Sequence, residues 1–298
     1  MILYRNMKYN KLIIDNSQNN DTIYTYLKRN GFSENYVRNL RKQEGYILLN
    51  SQSAHTDFKI KNGDMLEICK NPNTTTSIMQ CRIPLDIVYE DDDLLIVNKP
   101  SGLATSASRS HYAENLSGAI LNYMLKKDAN FVVRIINRLD KDTAGLVMVA
   151  KHSLISRLLN ESEQIDKTYY AICTGIMEKS LTINAKIETT KNDLGYNNHK
   201  RIISNNGKEA ITHLQPIKQL SNYTLCKVNI EFGRTHQIRV HCAHIRHPLL
   251  GDKLYGEKSD LITHTALVCK EIKFYHPLKK ETILAECEFP KDFQNLIV

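Results

Sequence analysis

Hydrophobic and polar positions divide this chain into two regions with different rhythms. In the first, Ile23, Tyr26 and Leu27 recur at helical spacing behind Asp21, whose short acceptor side chain suits an N-cap, and the pattern predicts a helix. A second helix is predicted from Ser33 to about Glu44, with Ser33 as its cap, Glu34 in the first turn and Gly45 to end it. Short β-like runs follow at Tyr46 to Asn50 and Phe58 to Ile60, then a Lys61-Asn62-Gly63-Asp64 turn and a strand from Met65 to Ile68. Asn71 to Ser77 is polar, contains Pro72 and lacks periodicity, so it reads as a linker.

The second region alternates short apolar runs with turns. Strands are predicted at Leu94 to Val97, Phe131 to Ile136, Gly145 to Ala150, Tyr169 to Thr174, Tyr223 to Phe232 and Leu284 to Phe289. Many strands with few helices between them predict an α+β domain on a mixed or antiparallel sheet, and no internal repeat is visible. The expected organisation is a small α/β module over residues 1–70, a linker over 71–81 and a larger domain over 82–298.

Composition narrows the class. Hydrophobic residues at 42% and charged residues at 24% describe an ordinary globular protein. No apolar run approaches the ~18 residues of a membrane span. The first eight residues lack the apolar core of a signal peptide, so a cytoplasmic protein with no membrane partner is expected. The seven cysteines are scattered and never spaced C-x-x-C, which predicts reduced thiols rather than a disulfide frame or zinc site. A net charge of +8 favours a polyanionic partner. Residues 1–80 hold 11 Lys and Arg against 7 Asp and Glu, half of the excess in about a quarter of the chain. On the second helix Arg38, Arg41 and Lys42 stand at i, i+3 and i+4 on one face, with Val37 and Leu40 on another. Such a stripe is ordinarily a solvated face, and it is also what a phosphate-gripping helix presents.

Four stretches carry more polar chemistry than their surroundings. Asn137-Arg138-Leu139-Asp140-Lys141-Asp142-Thr143-Ala144-Gly145 lies between two apolar runs, at a strand end where charges are fixed by a frame yet face a cleft. Its Asp-x-Asp-x-x-Gly order invites a calcium-loop reading, which fails because Ala144 and Lys151 stand where oxygen ligands are required. In Lys167-Thr168-Tyr169-Tyr170-Ala171, strand alternation sends the two tyrosines to opposite faces. Gly233-Arg234-Thr235-His236-Gln237-Ile238-Arg239 follows an apolar strand. The nearby His236, His241, Cys242, His244 and His247 match no zinc spacing, and Arg234, Arg239 and Arg246 suit an anion better than a metal. The fourth stretch, Asn98-Lys99-Pro100-Ser101-Gly102, reads as a scaffold turn closing a strand.

In order and spacing these four stretches resemble the RluA-type family of pseudouridine synthases, from about Ile83 to Pro277 and including Gly251-Asp252-x-x-Tyr255-Gly256. Two positions depart from the family pattern: Asn137 stands for its usual His, and Ala144 for its usual Ser. Residues 10–70 resemble the RNA-binding module first described in ribosomal protein S-four, with Asn50-Ser51 in place of the usual Asn-Gly. The first resemblance implies an isomerase that turns specific uridines of RNA into pseudouridine. Asp140 would be its nucleophile or base, Arg239 the cation that keeps the aspartate ionised in a dry pocket, and Tyr169 the ring that stacks on the uracil. Arg138 would enter the vacated position in the RNA, while Arg38, Arg41 and Lys42 would hold phosphates.

The reaction needs no cofactor and no metal. Large-subunit (23S-type) ribosomal RNA is the expected partner and transfer RNA the alternative, and a monomer is expected. Two other classes compete. A non-catalytic RNA-binding protein would need the basic module but not the set Asp140, Tyr169, Arg239. A glycoside hydrolase would pair Asp140 with Asp142 about 5–10 Å away, but the basic balance does not suit a neutral sugar.

Overall fold

Leu94 to Val97 and Leu146 to Ala150 are apolar at every position and buried along their whole length, which requires a sheet covered on both faces. In this computed structural model they are adjacent inner strands of that sheet. The structure describes residues 9–15, 17, 21–42, 44–70, 78–107, 113–128, 131–162, 165–191, 197–256 and 258–298. The linker predicted over Asn71 to Ser77 lies outside the described residues.

The chain opens with β1 (Tyr9–Ile13), α1 (Ile23–Arg29), α2 (Glu34–Leu40), β2 (Ile47–Leu49), β3 (Gln52–Ser53) and β4 (Met65–Cys69). The four strands form an antiparallel sheet in the order β1-β4-β2-β3, and α1 and α2 share a hydrophobic core with it that includes Ile23, Leu27, Val37, Leu40, Leu66 and Ile68. Asn50 and Ser51 both have positive φ (50° and 67°), the backbone of a tight β2–β3 hairpin turn, so Ser51 occupies a conformation that glycine adopts more readily.

The remainder comprises β5 (Asp86–Glu90), β6 (Leu94–Lys99), α3 (Leu116–Met124), β7 (Arg134–Ile135), β8 (Ala144–Ala150), α4 (Ser153–Glu161), β9 (Ile165–Thr174), β10 (Leu181–Asn184), β11 (Ile187–Lys191), β12 (Asn197–Ile203), β13 (Ile211–Leu220), β14 (Tyr223–Glu231), α5 (Gln237–His244), β15 (Leu267–His276), β16 (Glu281–Glu286) and α6 (Lys291–Ile297). The main sheet runs β10-β13-β14-β9-β15-β8-β6-β5, with β16 beside β15 and β7 beside β8; β11 and β12 form a separate hairpin. Every pairing among the described strands is antiparallel except the short parallel junction of β15 with β8. This is the expected α+β class on a mixed sheet. Helix α4 joins the two sheets: Leu154 belongs to the core of the first, and the Arg157 guanidinium sits 5.0 Å from the Phe32 ring centre.

Several predicted boundaries move for identifiable reasons. Thr22, not Asp21, caps α1: it exchanges hydrogen bonds with Thr25, while Asp21 receives a bidentate contact from Arg29 at 3.0 and 2.6 Å. Helix α2 stops at Leu40, four residues before the predicted end, as Arg41 turns to donate to Thr56 at 2.7 Å. Phe58 to Ile60 is no strand but a single bridge from Lys59 to Thr22. The run predicted from Phe131 to Ile136 pairs only over Arg134 and Ile135, and the run predicted from Leu284 lies earlier, over Glu281–Glu286.

The β8–β15 junction depends on one glycine. Gly145 has φ +110°, and a Cβ there would lie 2.3 Å from the Cys269 carbonyl oxygen. Gly145→Ala therefore combines a backbone that L-residues rarely adopt with an overlap against main chain, and is expected to destabilise the protein by about 3 kcal/mol or more. Urea unfolding of the variant beside the wild type measures this.

Candidate active site

Three adjacent strands bring the predicted residues together. Register sets Tyr169 of β9 opposite Cys269 of β15, and Cys269 opposite Gly145 of β8. Asp140 lies in the turn that enters β8, and its charge reaches Tyr169. Tyr169 is buried and its hydroxyl bonds to the Cys269 thiol. Burial first, and then Cys269 and Asp140, hold it in the neutral phenol form, far above its usual pKa. Tyr170, on the opposite face, packs edge-on against Phe289 at 5.3 Å, as strand alternation predicts.

The turn carrying Asp140 is held by its own carbonyls. Thr105 Oγ1 donates to Leu139 O at 2.6 Å, Thr143 N to Asp140 O at 3.2 Å, Gly102 N to Lys141 O at 2.9 Å, and Ser101 Oγ to Asp142 O at 3.0 Å. Asn137 fastens the same turn to β8: its amide donates to Leu146 O at 3.0 Å and accepts from Met148 N at 2.7 Å. The departure from His at 137 therefore leaves a residue with both a donor and an acceptor, and both are used. Ala144 is 1% exposed and packed within the sheet core.

Lys99 lies beneath this turn and is fully buried. Its ammonium donates to the carbonyls of Pro100 (2.9 Å), Leu103 (2.8 Å) and Lys141 (3.0 Å). Burial lowers its pKa to about 7, against the opposing pull of Asp140 and Asp142. The segment read from sequence as a scaffold turn thus holds the catalytic candidate in place.

Arg239 projects from α5 and serves two carboxylates. Its Nη1 donates to Asp140 Oδ2 at 3.1 Å, while Nε and Nη2 grip Asp252 at 2.8 and 2.9 Å. Asp252 is fully buried, which disfavours its charge, yet the bonds and charge of Arg239 prevail and hold its pKa below the usual carboxylate range. Asp252 in turn accepts the backbone N–H groups of Leu254 and Tyr255 at 3.0 and 3.2 Å. A bidentate grip on one carboxylate fixes the guanidinium plane and leaves one N–H aimed at the other. Gln237 holds the approach to α5, donating to Ile211 O and Glu231 O and accepting from Arg234 N. His236, at φ +59°, places Nε2 3.8 Å from Asp140 Oδ2.

The other predicted residues lie elsewhere. Arg138 is exposed two residues before Asp140. Arg38, Arg41 and Lys42 are exposed on and just after α2, and Arg41 is occupied by Thr56, by Asp57 at 3.6 Å and by the Tyr24 ring at 5.1 Å. The histidines grouped by sequence separate in space: His241 bonds to Thr212 and to Ala185 O at 2.9 Å each, and His247 to Thr174 O at 2.7 Å. Sequence reasoning gave no role to Asp252 or Lys99. The Gly-Asp-x-x-Tyr-Gly motif was the available signal for the first, and a lysine ending an apolar strand for the second.

A family model described as RNA pseudouridylate synthase matches residues 93–244. An uncharacterized RNA pseudouridine synthase of Bacillus subtilis, YhcT, is 32% identical, covering 96% of this chain and 95% of its own. The ribosomal large subunit pseudouridine synthase D of Haemophilus influenzae is 34% identical over 80% of this chain and 78% of its own. The solved structure of human RNA pseudouridylate synthase domain containing 1 superposes with a TM-score of 0.54 at 25% identity, covering 73% of this chain and 86% of that one.

Lys99→Met removes three hydrogen bonds and leaves buried carbonyls short of a donor, at an expected cost of about 2–4 kcal/mol. The gap should also depend on pH. Lys99 has a folded pKa of about 7 against an ordinary 10.5, so within that window the unfolded chain holds the extra proton and wild-type stability rises with pH. The methionine variant lacks this rise. Urea unfolding of both proteins at about pH 6 and about pH 9 should show a wider gap at the higher pH.

Proposed function

The chain belongs to the RNA pseudouridylate synthase family, and we propose that it isomerises uridines of large-subunit ribosomal RNA with Asp140 as the essential carboxylate. The contact that carries this reading is the 3.1 Å bond from Arg239 to Asp140, the one carboxylate in the buried cluster whose side chain retains 24% exposure. The relatives named for the ribosomal large subunit support the choice of RNA.

The reaction breaks the bond from uracil N1 to ribose C1′, makes one from C5 to C1′, and moves a proton from C5 to N1. Asp140 acts on the ribose or the base, either by covalent attack or by taking a ribose proton. Arg239 sets a fixed positive charge and a donor 3.1 Å from it. Tyr169, a neutral and largely buried ring among the same strands, is the aromatic on which the uracil stacks, and stacking on an aromatic is worth about 1–3 kcal/mol per base. That is comparable to the few kcal/mol needed to extrude a base. The surrounding apolar strands keep water from intercepting the freed sugar. Arg138, exposed beside the turn, fills the position the uridine leaves.

Residues 1–70 act as the S-four-like module, with Arg38, Arg41 and Lys42 as phosphate contacts and a linker over 71–81 leading to the catalytic domain. Phosphate contacts add affinity without sequence information, so the choice of uridine rests on RNA shape and unstacked bases. The protein works as a cytoplasmic monomer.

Asp140→Asn is expected to abolish turnover, so carbodiimide-stop mapping of total RNA should lose the same sites in the variant strain as in a deletion strain. Sites unchanged in all strains would overturn the assignment, and lost sites in transfer RNA would move the substrate. Arg239→Met should lower turnover at least about 100-fold while filter binding of RNA changes little; equal losses would refute its role. Replacing Arg38 and Lys42 together by Ala should flatten the slope of log affinity against log salt by about 1–2, with turnover at saturating RNA preserved.

A further inference from the structure

Tyr255 lies between the active site and the β11–β12 hairpin and touches both. Its hydroxyl oxygen accepts the Arg201 backbone N–H at 2.6 Å and stands 3.1 Å from His236 Nδ1. Its ring receives the Arg239 guanidinium at 5.3 Å and the Lys200 ammonium at 5.5 Å, and meets the His236 ring edge-on at 5.7 Å. His236 Nε2 then faces Asp140 Oδ2 at 3.8 Å.

Proton placement decides what this chain of contacts does. A phenol has one proton to give, and Arg201 already donates into its oxygen. If His236 Nδ1 also carried a proton, both neighbours would donate to the hydroxyl, and its Nε2 lone pair would face the carboxylate of Asp140. If Nδ1 is bare, the hydroxyl proton goes to it, the imidazole proton sits on Nε2, and a positive edge faces Asp140. Only the second arrangement leaves no lone pairs opposed. The groups facing His236 are Asp140 on the turn before β8, Arg239 on α5, Asp252 and Tyr255 on the turn after it, and Arg201 on β12. Burial, and then Arg239 and Arg201 against the pull of Asp140, lower its pKa, so the neutral ring is the resting form.

We propose that Tyr255 is a positioning residue that acts through His236: held by the hairpin, it fixes the imidazole as the Nε2–H tautomer and so presents a second donor, beside Arg239, to Asp140. The role of Asp140 rests on the function proposed above. The β11–β12 hairpin then contributes to the reaction through the backbone of Arg201. His236 holds left-handed backbone (φ +59°) to reach this position, a conformation that Asn tolerates better than Gln.

That preference separates a positioning role from a structural one. Gln mimics the Nε2–H donor and Asn the Nδ1 side, so His236→Gln should retain kcat within about threefold of wild type, while His236→Asn loses about tenfold despite suiting the backbone. Tyr255→Phe should lower kcat about tenfold with KM within about twofold. Turnover is read as tritium released from C5 of uridine in 23S-type ribosomal RNA transcribed in vitro.

Independently of turnover, long-range proton–nitrogen NMR of the wild-type protein should show a bare Nδ1 and a protonated Nε2 on His236. A protonated Nδ1 in wild type, or an Asn variant as active as the Gln variant, overturns the proposal. A wild-type protein that releases no tritium, with the tautomer as expected, instead overturns the proposed function.

Discussion

A carboxylate at the end of an apolar sheet is held in place by a fixed cation, and Arg239 serves two carboxylates at once. Its grip on Asp252 is bidentate and buried, so the guanidinium cannot swing, and an N–H of its free Nη1 reaches Asp140 as a consequence. Had Arg239 faced Asp140 alone, on a partly open surface, the pair would be screened by water and tolerant of many geometries. With Asp252 behind it, the arginine becomes part of the frame. Helix α5, the turn of Asp252 and the strands beneath Asp140 are therefore coupled through one side chain, and displacement of any one of them misaligns the carboxylate.

The same logic applies below the turn. A buried lysine is costly unless its ammonium is satisfied, and Lys99 finds three carbonyls, one of them on the residue after Asp140. Thr105 and Ser101 take the carbonyls of Leu139 and Asp142, and Gly102 shares that of Lys141. Almost every backbone acceptor from Leu139 to Asp142 is consequently occupied by the segment that follows β6. The carboxylate is held from above by a guanidinium and its backbone from below by donors, so its position rests on two independent sets of bonds.

What could be read from sequence followed from the range of the interactions involved. Apolar runs such as Leu146 to Ala150 announced central strands because a fully buried strand has no polar face to disguise it. Ser33 was recognisable as a cap because capping is local, and the structure uses it so. Asp21 misled because its partner, Arg29, lies two turns away, and the shorter Thr22–Thr25 exchange won the cap. Asp140 and Arg239 were legible as a set through the family resemblance and lie in contact, 99 positions apart. Asp252 and Lys99 carried no legible role, because what gives them one is long-range burial: the first is read only against Arg239, the second only against a turn 42 residues away. Sequence grouped the histidines near α5 by proximity, whereas helix geometry sent His236 to the carboxylate and His241 to the core.

Partnering also separates cations that build the protein from those available to RNA. A cation releases counterions from a polyanion only to the extent that its own charge is not already matched. Arg239, with two carboxylates, and Arg29, exposed but clasped by Asp21, already have their charge matched within the protein. Arg41 is intermediate, since Asp57 and the Tyr24 ring compete with any phosphate that approaches. Arg138, exposed beside the turn of Asp140, and Lys42, exposed after α2, stand at the opposite limit. The basic stripe seen in the sequence is thus unequal in its parts: affinity for RNA should rest more on Arg38 and Lys42 than on Arg41, whose guanidinium already serves the fold of the module that carries it.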